Sequence, residues 1–181
     1  MKQTTEELQE EAKIIQRAKQ DPEVFGLIYE KYYKPVFLFI NRRTGDSEAT
    51  ADITSQVFLK AMLSVQQWQF KGLPFSAWLF RIATNQVNEY YRNISTKRTV
   101  SLRIEHASLL LDDIEVDAGI DPIDLIPKLI NQLEEDEIEL IELRYFEQRS
   151  FKEVAFILNI TEGNAKVRVH RVLKKLKKYV S

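Results

Sequence analysis

Residues 150–180 read SFKEVAFILNITEGNAKVRVHRVLKKLKKYV, and they lay out two helices joined by a tight corner. Ser150 followed three residues later by Glu153 is a capping box, in which hydroxyl and carboxylate each satisfy a backbone N–H of the first turn. A helix therefore starts at Phe151. Asn159 tolerates the left-handed backbone in which helices commonly end, and Ile160 fills the corner. Thr161 is a good N-cap for the second helix, with Glu162 at its positive end. Ala165, Val169, Val172, Leu176 and Tyr179 then recur at spacings of four and three, which predicts an inward stripe.

The rest of that second helix is mostly charge. Lys166, Arg168, Arg171, Lys174, Lys175, Lys177 and Lys178 face only Glu162 as a counter-charge, on a chain whose total is −1. A short helix, a tight turn and a basic second helix is the helix-turn-helix plan, whose second helix enters the DNA major groove. Phosphates attract the basic turns while first-turn side chains meet base edges. A solvated terminal helix also favours cations near its C-terminus, which covers Lys174 to Lys178. It leaves Lys166, Arg168 and Arg171 unexplained, because the dipole disfavours cations near the start. DNA contact is the better reading.

Composition narrows the remaining choices. The 181 residues include no cysteine and two histidines, His106 and His170, far apart in sequence. That removes disulfides and thiolate metal sites and makes a His-based metal centre or catalytic triad improbable. No cofactor is expected. Five glycines, five prolines and few period-two alternations predict an all-α chain. No apolar run approaches the length of a membrane span and no signal peptide is evident, so a soluble cytoplasmic protein is expected.

From the N-terminus, Thr4 and Glu7 form another capping box, opening a mostly polar helix to about Gln20. Asp21 and Pro22 restart the chain as N-cap and first helical residue. Phe25, Ile28, Tyr29, Tyr32, Val36, Phe39 and Ile40 then form a core stripe, with a kink expected at Pro35 and a stop at Gly45. Asp46-Ser47 caps a third helix from Glu48 to about Val65, with Ile53, Val57, Ala61, Met62 and Val65 inward and Asp52, Ser55, Gln56, Leu59 and Lys60 outward. Trp68, Phe70, Phe75, Trp78 and Phe80 crowd around Lys71, Gly72 and Pro74, a segment that cannot be helical throughout. A helix resumes from Phe75 to about Arg92. Phe80, Ala83, Val87 and Tyr90 line one side; Arg81, Asn85, Asn88 and Arg92 line the other, with Trp78 at the edge. Exposed rings, amides and guanidinium groups together suit single-stranded nucleic acid, whose unstacked bases need flat partners and whose backbone needs cations. Phe75, Phe80 and Tyr90 fit the core better than the surface; Trp78 fits either.

Residues 101–127 change character: Glu105, Asp112, Asp113, Glu115, Asp117, Asp121 and Asp124 stand against Arg103 alone. Gly119, Pro122 and Pro127 interrupt them, and Leu109, Leu110 and Leu111 form one apolar patch. This reads as an acidic linker. The division expected is a helical domain over residues 1–97, a linker over 98–123 and a helix-turn-helix domain over 124–181. In the last, Leu125, Ile126, Leu129, Ile130 and Leu133 belong to one helix, and Glu134 to Asp136 open another.

Two helical modules of this kind, joined by an acidic tether, resemble a bacterial RNA polymerase sigma factor of the small extracytoplasmic-function (ECF) group. The resemblance rests on Phe25, Ile28, Tyr29 and Tyr32; on Asp52, Ile53, Gln56 and the run Phe58 to Ala61; and on Phe75 through Asn85. In the second module it rests on Leu143 to Phe146, Ser150 to Ala155 and Glu162 to Arg171. It implies that Asp52, Ser55, Gln56, Leu59 and Lys60 dock on the clamp of the largest subunit of core RNA polymerase. It further implies that the loop from Trp68 through Phe70, Lys71 and Gly72 to Ser76 captures a flipped base of the minus-ten element, with Trp78, Arg81, Asn85, Asn88 and Arg92 beside it. Lys166, Val167, Arg168, His170, Arg171 and Lys174 would read the minus-thirty-five element of promoter DNA. An anti-sigma factor is a further partner that the resemblance suggests. Ser55-Gln56 stands where the family usually has Gln-Glu, and Val167 where a small hydroxyl residue is frequent. The rival reading is a helix-turn-helix repressor with a helical dimerisation domain, which would form a stable dimer without polymerase and need a palindromic site.

Overall fold

The computed structural model describes residues 4–94, 108–115 and 121–180, and every regular element among them is helical. The expected domain boundary at residues 97 and 98, and the linker residues Arg103, Glu105, Asp117 and Gly119, lie outside the described residues. The chain divides into two compact units between Val100 and Ser101.

In the first unit the caps fall where the sequence places them. Helix α1 (Thr5–Ala18) opens on the Thr4–Glu7 capping box. Helix α2 (Pro22–Thr44) starts on Asp21, passes through Pro35 and ends on Gly45, whose φ of 64° is the left-handed conformation that glycine adopts without cost. Helix α3 (Ser47–Ser64) is capped by Asp46 and runs into a single 3-10 turn, Val65–Gln67. Helix α4 (Phe75–Ile94) follows an irregular stretch. Helix α2 packs against α1, α3 and α4, and α3 against α4. Phe39 and Phe80, both fully buried, meet with ring centroids 4.6 Å apart. The guanidinium of Arg43 lies 4.0 Å from the Phe39 ring, and the Tyr91 hydroxyl donates to the Arg43 carbonyl at 2.6 Å, tying the ends of α2 and α4 together.

Two core assignments in this unit are corrected. Tyr29 is 43% exposed and Met62 also 43%. Both sit at the margin of their stripes: Tyr29 leans its ring edge onto Phe58 at 4.8 Å instead of entering the core.

The second unit begins earlier than the sequence suggests. Residues 108–115, expected in the linker, include helix α5 (Ser108–Asp113), with Leu110 and Ile114 fully buried. The Tyr145 hydroxyl donates to Asp113 at 2.6 Å, and Lys177 pairs with Glu115 at 2.7 Å. Helix α6 (Pro122–Ile130) runs through Pro127, where the sequence predicts an interruption. Helix α7 (Glu135–Ile141) continues into a π-helical turn, Glu142–Phe146. Helix α8 (Phe151–Leu158) has the Ser150–Glu153 capping box and ends on Asn159 at φ 56°. Helix α9 (Glu162–Val180) packs on α7 and α8 through Ala165, Val169, Val172 and Leu176, all buried. Tyr179, expected on that stripe, is 55% exposed: the stripe continues past the helices that would cover it.

Candidate nucleic-acid interfaces

Helix α9 is positioned from below by α8. The Thr161 hydroxyl accepts the Asn164 N–H at 3.1 Å, so the corner is capped as its sequence requires. Phe151, at the start of α8, has the Arg144 guanidinium 4.6 Å from its ring on one side and the Lys166 ammonium at 5.9 Å on another. Opposite the buried stripe, Lys166, Val167, His170, Arg171 and Lys174 are all exposed and share one face by their spacing.

The cations of α9 fall into two sets. Lys175 pairs with Glu137 at 2.6 Å, Arg168 with Asp136, and Lys177 with Glu115. Burial pushes the Glu137 carboxyl up, yet the Lys175 hydrogen bond, the Glu134 N–H and the charges of Lys175 and Arg168 outweigh it and hold it below the ordinary value; Lys175 is raised in turn, chiefly by its hydrogen bond to Glu137. Arg171 and Lys174 have no acidic partner among the described residues, and Lys166 pairs only with Glu162 of its own first turn, at 2.7 Å. Arg168, expected on the DNA face, is half-buried and engaged by Asp136 of α7. Its side chain turns toward α7, away from the face formed by its neighbours.

In the first unit, Asp52, Ser55, Gln56, Leu59 and Lys60 are all exposed along α3, as expected. Leu63, 71% exposed, and Met62 extend that face with apolar surface. Lys60 reaches Glu89 of α4 at 3.5 Å, and the Ser55 hydroxyl donates back to the Ala51 carbonyl at 2.9 Å.

The strip on α4 is partly open. Asn85 and Arg92 are exposed; Trp78, Arg81 and Asn88 are half-buried. In the preceding loop Phe70 (40% exposed), Lys71 and Gly72 face outward, and Gly72 takes a φ of 65°. Trp68 is corrected: it is 5% exposed and cannot offer a ring face to a base. It packs edge-on to Phe75 at 5.5 Å and beside Phe70 at 6.3 Å, so it supports the open ring instead of replacing it. Trp78 flanks Phe75 from the other side at 5.1 Å.

One residue near this loop went unread in the sequence. Glu11 of α1 is 6% exposed, and its carboxylate accepts from Lys31 at 2.6 Å, from the Tyr32 hydroxyl, and from the Phe75 N–H at 2.7 Å. Burial pushes this carboxyl up, but those three donors and the Lys31 charge together hold it below the ordinary carboxylate value. A sign of it was present: Glu11 stands four residues before Ile15 and seven before Ala18, on the only buried stripe of α1.

Comparison with known proteins places both units. The family description "Sigma-70 region 2" matches residues 28–96, and "Sigma-70, region 4" matches residues 123–176. The ECF RNA polymerase sigma factor SigW of Bacillus subtilis is 27% identical over 177 residues, covering 92% of this chain and 94% of that protein. BldN of Streptomyces coelicolor, also an ECF RNA polymerase sigma factor, is 26% identical over 171 residues, and the match spans 90% of this chain and 63% of BldN. Among solved structures, CnrH in complex with the cytosolic domain of CnrY aligns with a TM-score of 0.64 at 18% identity, covering 93% of this chain and 96% of CnrH, a likeness of fold. Region 2 falls on the unit bearing α3 and α4 and region 4 on the helix-turn-helix, and the chain thus belongs to the sigma-70 family of RNA polymerase sigma factors, in its ECF group.

Proposed function

We propose that the exposed face of α9 reads the upstream promoter element as duplex, that the loop of residues 68–74 with the open strip of α4 takes a base from the melted downstream element, and that the outer face of α3 docks on the polymerase clamp. The chain is an alternative sigma factor, an initiation factor and not an enzyme. Its partners are core RNA polymerase, which supplies the catalysis, and promoter DNA. The observation that carries the DNA assignment is the sorting of charge on α9. Cations beside α7 are held by the chain's own acids, while Arg171 and Lys174 stand open next to Val167 and His170. An open cation beside an exposed apolar side chain suits phosphate and a groove-edge methyl together.

No helix among the described residues is long and apolar enough to cross a membrane. Work on polymerase and chromosomal DNA implies the cytoplasm. An anti-sigma factor, of the kind named as the partner of Bartonella quintana RpoE in a solved complex, is a candidate further partner.

Transcription by core polymerase tests this reading. With the chain added, core enzyme should initiate at defined start sites on a genomic promoter library. Lys166→Ala and Arg171→Ala together should abolish dependence on the upstream element and leave binding to core intact. Because each DNA surface is modest alone and they gain from a fixed spacing, the free chain should bind duplex promoter weakly. Tight sequence-specific duplex binding by the free chain would count against this reading.

A further inference from the structure

Helix α1 lies outside the residues that match region 2, and its outer surface is polar and unremarkable. Its buried side has one task that the family match does not assign. The irregular stretch between α3 and α4 is held at one end by Lys19, the C-cap of α1, and at the other by α1 itself. At the near end the Lys19 ammonium donates to the Trp68 carbonyl at 2.7 Å, and the Gln66 amide donates to the Lys19 carbonyl. At the far end the Glu11 carboxylate takes the N–H of Phe75, the first residue of α4. First-turn N–H groups have no acceptor within their own helix, and an anion there also meets the positive end of the helix dipole. The other Glu11 oxygen is fixed by Lys31 and Tyr32 of α2, so the carboxylate joins three helices at one point.

Between these two anchors, Trp68 and Phe75 are sealed under the loop and Phe70, Lys71 and Gly72 are left open. We propose that Glu11 is a positioning residue for strand capture: through the Phe75 N–H and Tyr32 it sets the loop of residues 68–74 in the geometry that receives an unstacked base. This rests on the reading of that loop given above. A receiving pocket must be preformed, because the base gives up stacking in the duplex before it gains any in the protein. A carboxylate with three donors defines the start of α4 more narrowly than apolar packing alone.

The test uses the full chain in complex with core polymerase, on a promoter selected by the wild-type holoenzyme from a library randomised over both elements. 2-Aminopurine is placed in turn at each non-template position of the downstream element, and its fluorescence rises where a base leaves the stack. Wild type should show one position that brightens. Glu11→Gln should lose that brightening and cut discrimination between bases there by roughly tenfold or more, while its affinity for core and its upstream-element contacts stay unchanged. Tyr32→Phe, which keeps the ring and removes only the hydroxyl, should show the same change in milder form. Ile15→Val, which loosens α1 without touching the carboxylate, should show none. If Glu11→Gln and Tyr32→Phe discriminate as wild type does, or if Ile15→Val loses as much as they do, Glu11 has no positioning role and the inference is overturned. If wild type brightens at no position, the loop assignment fails, and this inference falls with it.

Discussion

The two regions proposed to face DNA are built on different electrostatic plans. In the first unit a charge is buried: Glu11 sits beneath the loop, and the surface above it carries one open ring, an exposed amide and the cations Lys71 and Arg92. In the second unit the charges are outside, and a row of surface acids from α7 and residue 115 takes up the cations of α9 that do not face outward. Each plan suits its substrate. A melted base is recognised by shape and stacking, so the site must be rigid; duplex phosphate is recognised by field, so the site needs open charge and tolerates mobile side chains.

The largest effect should come from removing the buried carboxylate outright. Glu11→Ala leaves the Phe75 N–H and the Tyr32 hydroxyl without that acceptor and should cost the first unit about 2–3 kcal/mol. Both tryptophans, Trp68 and Trp78, belong to this unit, so urea unfolding followed by tryptophan fluorescence reads it alone. An unchanged midpoint would erase the contrast between the two plans.

Acid should expose the same group. The Glu11 carboxyl lies below its ordinary value of 4.5 in the folded protein. The stability it contributes is therefore fully present above pH 4.5 and lost as pH falls through the folded value. Tryptophan fluorescence on acidification should show this loss, and Glu11→Gln should flatten that part of the curve. A wild-type curve matching the variant would mean that the carboxylate contributes nothing through its charge.

Salt separates the two sets of cations on α9. If Arg171 meets a phosphate, Arg171→Ala should make the salt dependence of holoenzyme binding to the upstream element shallower by about one in log–log slope. Arg168→Ala should leave the slope nearly unchanged, because that guanidinium is already engaged by Asp136. Equal slope changes would return Arg168 to the DNA face. The smallest effect belongs to Asp136→Ala. A surface pair contributes about 0.2–1 kcal/mol, so thermal unfolding followed by circular dichroism should move by roughly 1 °C and by no more than about 8 °C.

Much of this was legible in the sequence because caps and stripes are local. Thr4, Asp21 and Ser150 cap their helices as the sequence predicts, Asp46 of the pair Asp46-Ser47 caps the third, and Gly45 and Asn159 end theirs in the left-handed conformation. The helix-turn-helix follows from four such signals within fifteen residues. What failed depended on partners far along the chain. Periodicity gives the face of a helix but not what covers it, so it predicts Tyr29, Met62 and Tyr179 inside although they are exposed. Aromatic content cannot distinguish a ring that stacks on a base from one that supports it, hence Trp68. Arg168 meets an acid thirty-two residues away, a pairing no local pattern contains. The patch at Leu109 to Leu111 lay within an acidic run, and charge concealed the fact that Leu110 and Ile114 reach the core.

The absence of cysteine offers the most direct test of two units gripping one promoter at separate places. Asn164→Cys at the start of α9 and Gln69→Cys in the loop, each carrying a tethered iron chelate, should direct DNA cleavage in the polymerase complex. We expect Asn164→Cys to cut duplex at the upstream element and Gln69→Cys to cut only the non-template strand, downstream, where the DNA is melted. Cleavage from both positions at one site, or upstream cleavage that persists at full strength without polymerase, would contradict the account.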